Sequence, residues 1–172
     1  MGMDVYGVDP DSKEGEYFRR NVWGWRPLWM MVEELAPELA GKVKGAQFND
    51  GDGLDAKDAK ELGKLLKEKI NEGTATKLIA EYNLYKSNLP QEDCFICEGT
   101  GVRTDAVGIR DGQHEKALDK EVAIVVGREF GWCNGCAGYG KKEHMNTSYE
   151  TSVECLKEFA TFAYHSGGFE IF

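Results

Sequence analysis

A chain of 172 residues is long enough for one domain with a real core, or for one domain plus a small insert. At 41% hydrophobic and 30% charged residues its composition is globular, not disordered. A net charge of −9 with no basic stripe disfavours nucleic-acid binding dominated by phosphate contacts.

The N-terminus is acidic and polar and holds no apolar stretch of signal-peptide length. The longest aliphatic run, Val122 to Val126, is far too short for a membrane span. These features read as a soluble cytoplasmic protein, and free thiols suit a reducing compartment.

Met3 to Val8 reads as a short strand, followed by a turn at Pro10 and Asp11. Tyr17 to Trp29 is dense in aromatic residues, and Pro27 suits the first position of a helix. Leu28, Trp29, Val32, Leu35, Ala36 and Leu39 then share one face at 3.6 residues per turn, with a break near Ala36 imposed by Pro37. The tryptophans fit core packing, or an aromatic pocket with Arg26 as its polar anchor.

Phe48 to Gly53 has a superficial likeness to a calcium loop, but with Gly53 at the sixth position Phe48 and Ala59 fall where ligands are required. A tight turn before a helix is the better reading. Asp55 and Asp58 resemble a capping box at the start of a helix through Asn71, which Gly73 terminates. A third helix runs from Thr74 to about Tyr85.

Two matching motifs follow. Cys94-Phe-Ile-Cys97-Glu-Gly99-Thr-Gly101 and Cys133-Asn-Gly-Cys136-Ala-Gly138-Tyr-Gly140 both read C-x-x-C-x-G-x-G. Four thiols in two knuckles make a closed tetrahedral site for a structural Zn2+, with no position left for a reactive water. The glycines let the backbone pass close to sulfur, and amide groups can then point at the thiolates. The stretch between the knuckles exceeds the roughly 15–20 residues of a minimal ribbon. Val122 to Val126, with Val107 to Arg110 as partner, reads as a short β-hairpin resting on the metal. Lys141 and Lys142 would balance the thiolate charge, and His144 is solvated, not a ligand.

The motif resembles the cysteine-rich zinc region of the DnaJ chaperones, where it occurs as four repeats. The resemblance covers about residues 94–140 and implies metal ligation alone, because the His-Pro-Asp tripeptide of the J domain is not in the sequence. The opening Met3-Asp-Val-Tyr-Gly7, the Tyr17–Trp29 segment, the Phe48-Asn-Asp-Gly51 turn and the closing Ser166-Gly-Gly-Phe-Glu-Ile171 resemble small uncharacterised proteins of bacteria and their phages. That resemblance implies a free-standing single-domain protein and no particular activity.

The last helix is expected from Ser148 to about His165, with Tyr149, Ser152, Val153, Cys155, Leu156, Phe159, Ala160, Phe162 and Ala163 on its apolar half. Cys155 is a packed thiol there, not a nucleophile. Phe169 to Phe172 could return as a strand beside Met3 to Val8. The expected fold is α+β and mainly helical: one helical domain, residues 1–93 plus 141–172, with an inserted four-cysteine finger at 94–140.

The expected function is that of a non-enzymatic binding protein stabilised by zinc, acting on a protein or a small molecule. Trp23, Trp25 and Arg26, with Asn49, Asp50 and Asp52 on a loop, form the candidate recognition surface. One alternative is a small enzyme using Asp50 and Asp52 as acid and base with Arg26 holding an anion. Another is a nucleic-acid-binding ribbon, which needs Arg103, Arg110, Lys120 and Arg128 gathered on one finger face.

Overall fold

The computed structural model describes residues 2–172. In chain order the first elements are β1 (Gly2–Gly7), β2 (Tyr17–Asn21), α1 (Val22–Leu35), α2 (Pro37–Ala40), β3 (Gly53–Leu54), α3 (Ala56–Asn71) and α4 (Thr74–Ser87). They continue with β4 (Glu92–Asp93), α5 (Ala106–Arg110), α6 (Lys120–Val126), β5 (Lys141–Lys142), α7 (Val153–His165) and β6 (Phe169–Ile171). The architecture is α+β with small antiparallel sheets. The chain divides into two compact units, one holding the chain up to Ser87 together with Ser148–Phe172, the other Asn88–Thr147.

In the first unit the sheet order is β2-β1-β6-β3, with every pairing antiparallel. Val5 sits opposite Ile171, so the C-terminal strand returns beside the N-terminal one. The helices cover an apolar core built on Trp25, Leu28, Trp29, Leu62, Leu66, Leu156, Phe159, Phe162 and Phe169, all essentially without solvent exposure. Trp25 and Trp29 stack at 5.5 Å, and Phe159 meets both rings edge-on. Such aromatic pairs add about 0.5–1.5 kcal/mol beyond the area they bury.

Local chemistry sets the boundaries. Asp55 caps α3 by accepting the Asp58 amide at 2.8 Å, and Gly73 follows its end with φ +79°. α1 stops at Leu35, and Pro37 opens the short α2. Its start differs from expectation. The helix begins five residues before Pro27, because Asn21 accepts the Gly24 amide at 2.8 Å and caps it there. Pro27 is buried inside the helix, where it leaves the Trp23 carbonyl without a helical donor. Residues 17–21 ahead of it form a strand that the aromatic density concealed.

α7 begins at Val153, not Ser148. Ser152 takes the cap by accepting the Cys155 amide at 3.1 Å, and residues 149–152 run non-helically into it. Gly63 of α3 faces α7 so closely that a Cβ would lie 2.5 Å from the Tyr164 nitrogen and 2.6 Å from the Ala160 oxygen.

In the second unit the expected hairpin is overturned: Val107–Arg110 lies in α5 and Val122–Val126 in α6. Asp105 caps α5 through the Gly108 amide, and Gly127, at φ +69°, ends α6. Between the knuckles the β pairing is a single bridge of Ala117 with Phe130, and the two-stranded sheet lies outside them. Glu92 faces Lys142 and Asp93 faces Lys141, so β4 and β5 join the start of the first knuckle to the end of the second. The buried cluster of this unit is the four knuckle cysteines, with Ile96 packed against them.

Candidate metal centre

Cys94 and Cys97 follow β4, while Cys133 and Cys136 precede β5. All four are buried, and one ligand atom from each lies within 4.8 Å of the others. The Cys94 and Cys133 sulfurs are 3.9 Å apart and those of Cys97 and Cys136 are 3.7 Å apart. A tetrahedral ion bound at about 2.3 Å sets its sulfurs about 3.8 Å from one another. None of the five cysteines is in a disulfide.

The two knuckles carry the same internal bonds. The Gly101 amide donates to the Cys97 sulfur at 3.2 Å, and the Gly140 amide to the Cys136 sulfur at 3.1 Å. The Gly135 amide donates to Cys133 at 3.4 Å. Positive φ recurs at equivalent places, at Glu98, Gly99 and Gly101 and again at Ala137, Gly138 and Gly140. The amide of Cys94 is held by the Gly140 carbonyl at 2.8 Å, which ties one knuckle to the other.

Burial opposes charge on most of these thiols. Burial pushes the Cys133 thiol up to about 12, although the Gly135 amide opposes it, and burial raises Cys136 in the same way. At Cys94 burial is outweighed by the amides of Ile96 and Cys97, and the thiol falls to about 7. The amides favour a thiolate at Cys94, and a metal charge at the centre of the cluster would favour one at all four. Four cysteine sulfurs close together are the donor set of a borderline-soft divalent ion such as zinc. Lys141 pairs with Asp93 at 2.6 Å and Lys142 lies over the Phe95 ring, so neither ammonium is spent on the sulfurs. His144 bonds Glu92 and the Asn146 amide.

The candidate recognition residues separate. Trp23 is 41% exposed and packs on Tyr149 at 5.0 Å, and Arg26 donates to the Tyr149 hydroxyl at 3.1 Å. Trp25 is fully buried and its indole nitrogen donates to the Ala46 carbonyl, which removes it from any surface. The loop residues serve their own backbone. Asn49 donates to the Gly2 carbonyl, Asp50 accepts the Asp52 amide, and Asp52 accepts those of Gly45 and Gly53.

The sequence reading placed Tyr149 on the apolar half of the last helix, whereas it lies in the non-helical stretch ahead of α7. The available signal was Thr151-Ser152 ahead of an apolar periodic run, the composition of a helix cap. Cys155 is buried and accepts a hydrogen bond from the Arg20 Nε at 2.9 Å. Burial raises its thiol against the pull of the Arg20 charge. Among the described residues no helix is long and apolar enough to cross a membrane. Set against protein-family models, curated proteins and solved structures, the chain matches none.

Proposed function

We propose that this chain is a binding protein whose cysteine unit is held together by one structural Zn2+ on Cys94, Cys97, Cys133 and Cys136. The carrying observation is the closed donor set: four buried sulfurs at tetrahedral spacing, each knuckle braced by amides. When bound, the ion supplies charge neutralisation and cross-linking, and four thiolates leave it no position for a reactive water. The likeness to the DnaJ cysteine-rich region supports the same ligation.

Recognition is assigned to the first unit, at the exposed Trp23 and Arg26 where they meet Tyr149. Tryptophan and arginine are the residues that most often dominate binding energy. Three of the four groups that the nucleic-acid reading needs are engaged within the chain. Arg103 and Arg110 pair with Asp105 and Asp111, and Arg128 donates to the Gly138 carbonyl.

Elemental analysis of protein purified reduced and without chelator tests the metal. One zinc per chain is expected, and a stoichiometry near zero overturns the reading.

A further inference from the structure

β2 is an outermost strand of its sheet, paired on one side only, with β1. Asp4 of β1 exchanges both backbone bonds with Phe172, at 2.6 and 2.7 Å, so its groups face away from Arg19 opposite it. Gly7 turns the other way and donates to the Glu16 carbonyl at 3.0 Å. By the alternation of an antiparallel ladder, Phe18 and Arg20 bond β1, while the N–H and C=O groups of Tyr17 and Arg19 point off the open edge. Among the described residues those outward groups bond no other element.

Beside that edge runs a groove of about 470 Å³. Tyr17, Phe18 and Phe162 give it apolar walls. Glu154, Lys157, Glu158 and Thr161 line it at the i, i+3, i+4 and i+7 positions of one helical stripe, so α7 forms one side of the groove and the edge strand the other. An open edge is a template for a further strand, and the charges along this one select which. Arg19 and Arg20 are taken up by Asp4, at 3.2 Å, and by Glu158, at 2.6 Å. Glu14 and Glu154 in the groove, and Glu150 in the adjoining cleft that Arg19 and Asn21 line, are exposed and form no salt bridge among the described residues. Lys157 is the unpaired cation set against these three carboxylates.

We propose that an extended basic segment of a partner protein adds to β2 as a fifth strand, bonding the outward groups of Tyr17 and Arg19. Its apolar side chains enter the groove, and its lysines or arginines meet Glu14, Glu150 and Glu154. A second copy of this chain would bring the same carboxylates and a net charge of −9 to the edge, which opposes self-pairing. The assignment rests on reading the chain as a binding protein and is independent of the metal, since none of these residues belongs to the cysteine unit.

The probe is a blocked heptapeptide alternating lysine and valine, with a counterpart carrying glutamate for lysine, each titrated into the metal-loaded full chain. Before peptide, the Tyr17 and Arg19 amides are expected to exchange with solvent at least tenfold faster than those of Phe18 and Arg20. The lysine peptide is expected to shift the Tyr17 and Arg19 amides saturably, to slow their exchange at least tenfold, and to bind at least tenfold more tightly than its glutamate counterpart. Because alternate residues of a strand face the edge, N-methylation of the lysine amides and of the valine amides should differ at least tenfold in effect. Glu14→Gln combined with Glu150→Gln is expected to weaken the lysine peptide at least fivefold. Equal binding of the lysine and glutamate peptides, equal effects of the two methylations, or no protection of Tyr17 and Arg19 on titration overturns the proposal. So does protection of those amides in the free chain together with a dimer in sedimentation, which would assign the edge to a second copy. One zinc per chain in the same samples separates any such failure from a failure of the metal reading.

Discussion

Gly140 lies against the carbonyl of Gly99, so near that a Cβ would stand 2.2 Å from its oxygen. The relation is reciprocal, since a Cβ on Gly101 would stand 2.3 Å from the Gly138 oxygen. Each knuckle therefore ends where the other's backbone passes, with positive φ at both contact points. The last glycine of the motif is required by the opposite knuckle as much as by its own sulfur. We expect Gly140→Ala to lose metal at chelator concentrations the parent withstands. A zinc-release assay with a chromogenic chelator measures this, and parental retention would refute the interlock.

The indole nitrogen of Trp25 donates to the Ala46 carbonyl at 2.7 Å from a fully buried ring. Trp25→Ala is expected to destabilise the first unit by about 3–5 kcal/mol, as large-to-small aromatic changes in a core do. Trp25→Phe should cost less, but more than the lost ring area implies, since an unpaired buried carbonyl costs about 1–3 kcal/mol. Urea denaturation followed by helical signal checks both, and a near-parental midpoint for Trp25→Ala would argue against the core assignment.

Gly63 gives a prediction of unusual sign. Glycine to alanine inside a helix ordinarily stabilises by about 0.5–1 kcal/mol. Here the added methyl would meet backbone atoms of Tyr164 and Ala160 at 2.5–2.6 Å, and backbone cannot rotate away. Gly63→Ala should lower the melting temperature by forcing α3 from α7. The half-buried helical control Gly24→Ala, whose nearest contact would be an ordinary 3.5 Å, should not.

The parts of the fold legible in sequence were those with a long period or a repeated motif. α3 and α7 each present an apolar face over several turns, and the knuckles repeat to the residue. The Val122–Val126 run was too short for its period to separate strand from helix. Its β-branched composition favoured strand, yet only Val122 is buried and Ile124 is 81% exposed, so no sheet face demands the others. Tertiary context decided the state, with a left-handed Gly127 ending a turn of helix. Trp23, Trp25 and Trp29 could not be sorted by composition. Their fates follow from the helix starting at Val22, and that depends on the Asn21 cap, which a reading anchored on Pro27 passes over.

Glu154 sets a pH dependence for the first unit. Its own amide and then the Ser152 hydroxyl hold its carboxyl below the ordinary carboxylate range. The folded-state pKa is depressed, so the contribution is full above the unfolded value of about 4.3 and is lost as pH falls through the folded one. Glu154→Gln should therefore be less stable than the parent at pH 7, with a difference that shrinks as pH falls below 4. A difference unchanged at acid pH would assign the effect to packing instead of charge.

The last expectation concerns what the metal organises. The cysteine unit's main buried cluster is its four thiols with Ile96, so without the ion it has little apolar burial to offset chain entropy. The first unit has its own sheet and an aromatic core of Trp25, Trp29, Phe159, Phe162 and Phe169, none of which belongs to the cysteine unit. Cys133→Ser should therefore release the metal and expose the amides of residues 88–147 to rapid hydrogen exchange. Those of α3 and α7 should stay protected, and most of the far-ultraviolet helical signal should persist, because the cysteine unit's α5 and α6 hold only 5 and 7 residues. Chelation of the parent under reducing conditions should reproduce this pattern, and returning Zn2+ should reverse it. If α3 and α7 exchange as fast as the knuckles in the serine variant, the two units fold as one and the ion organises the whole chain.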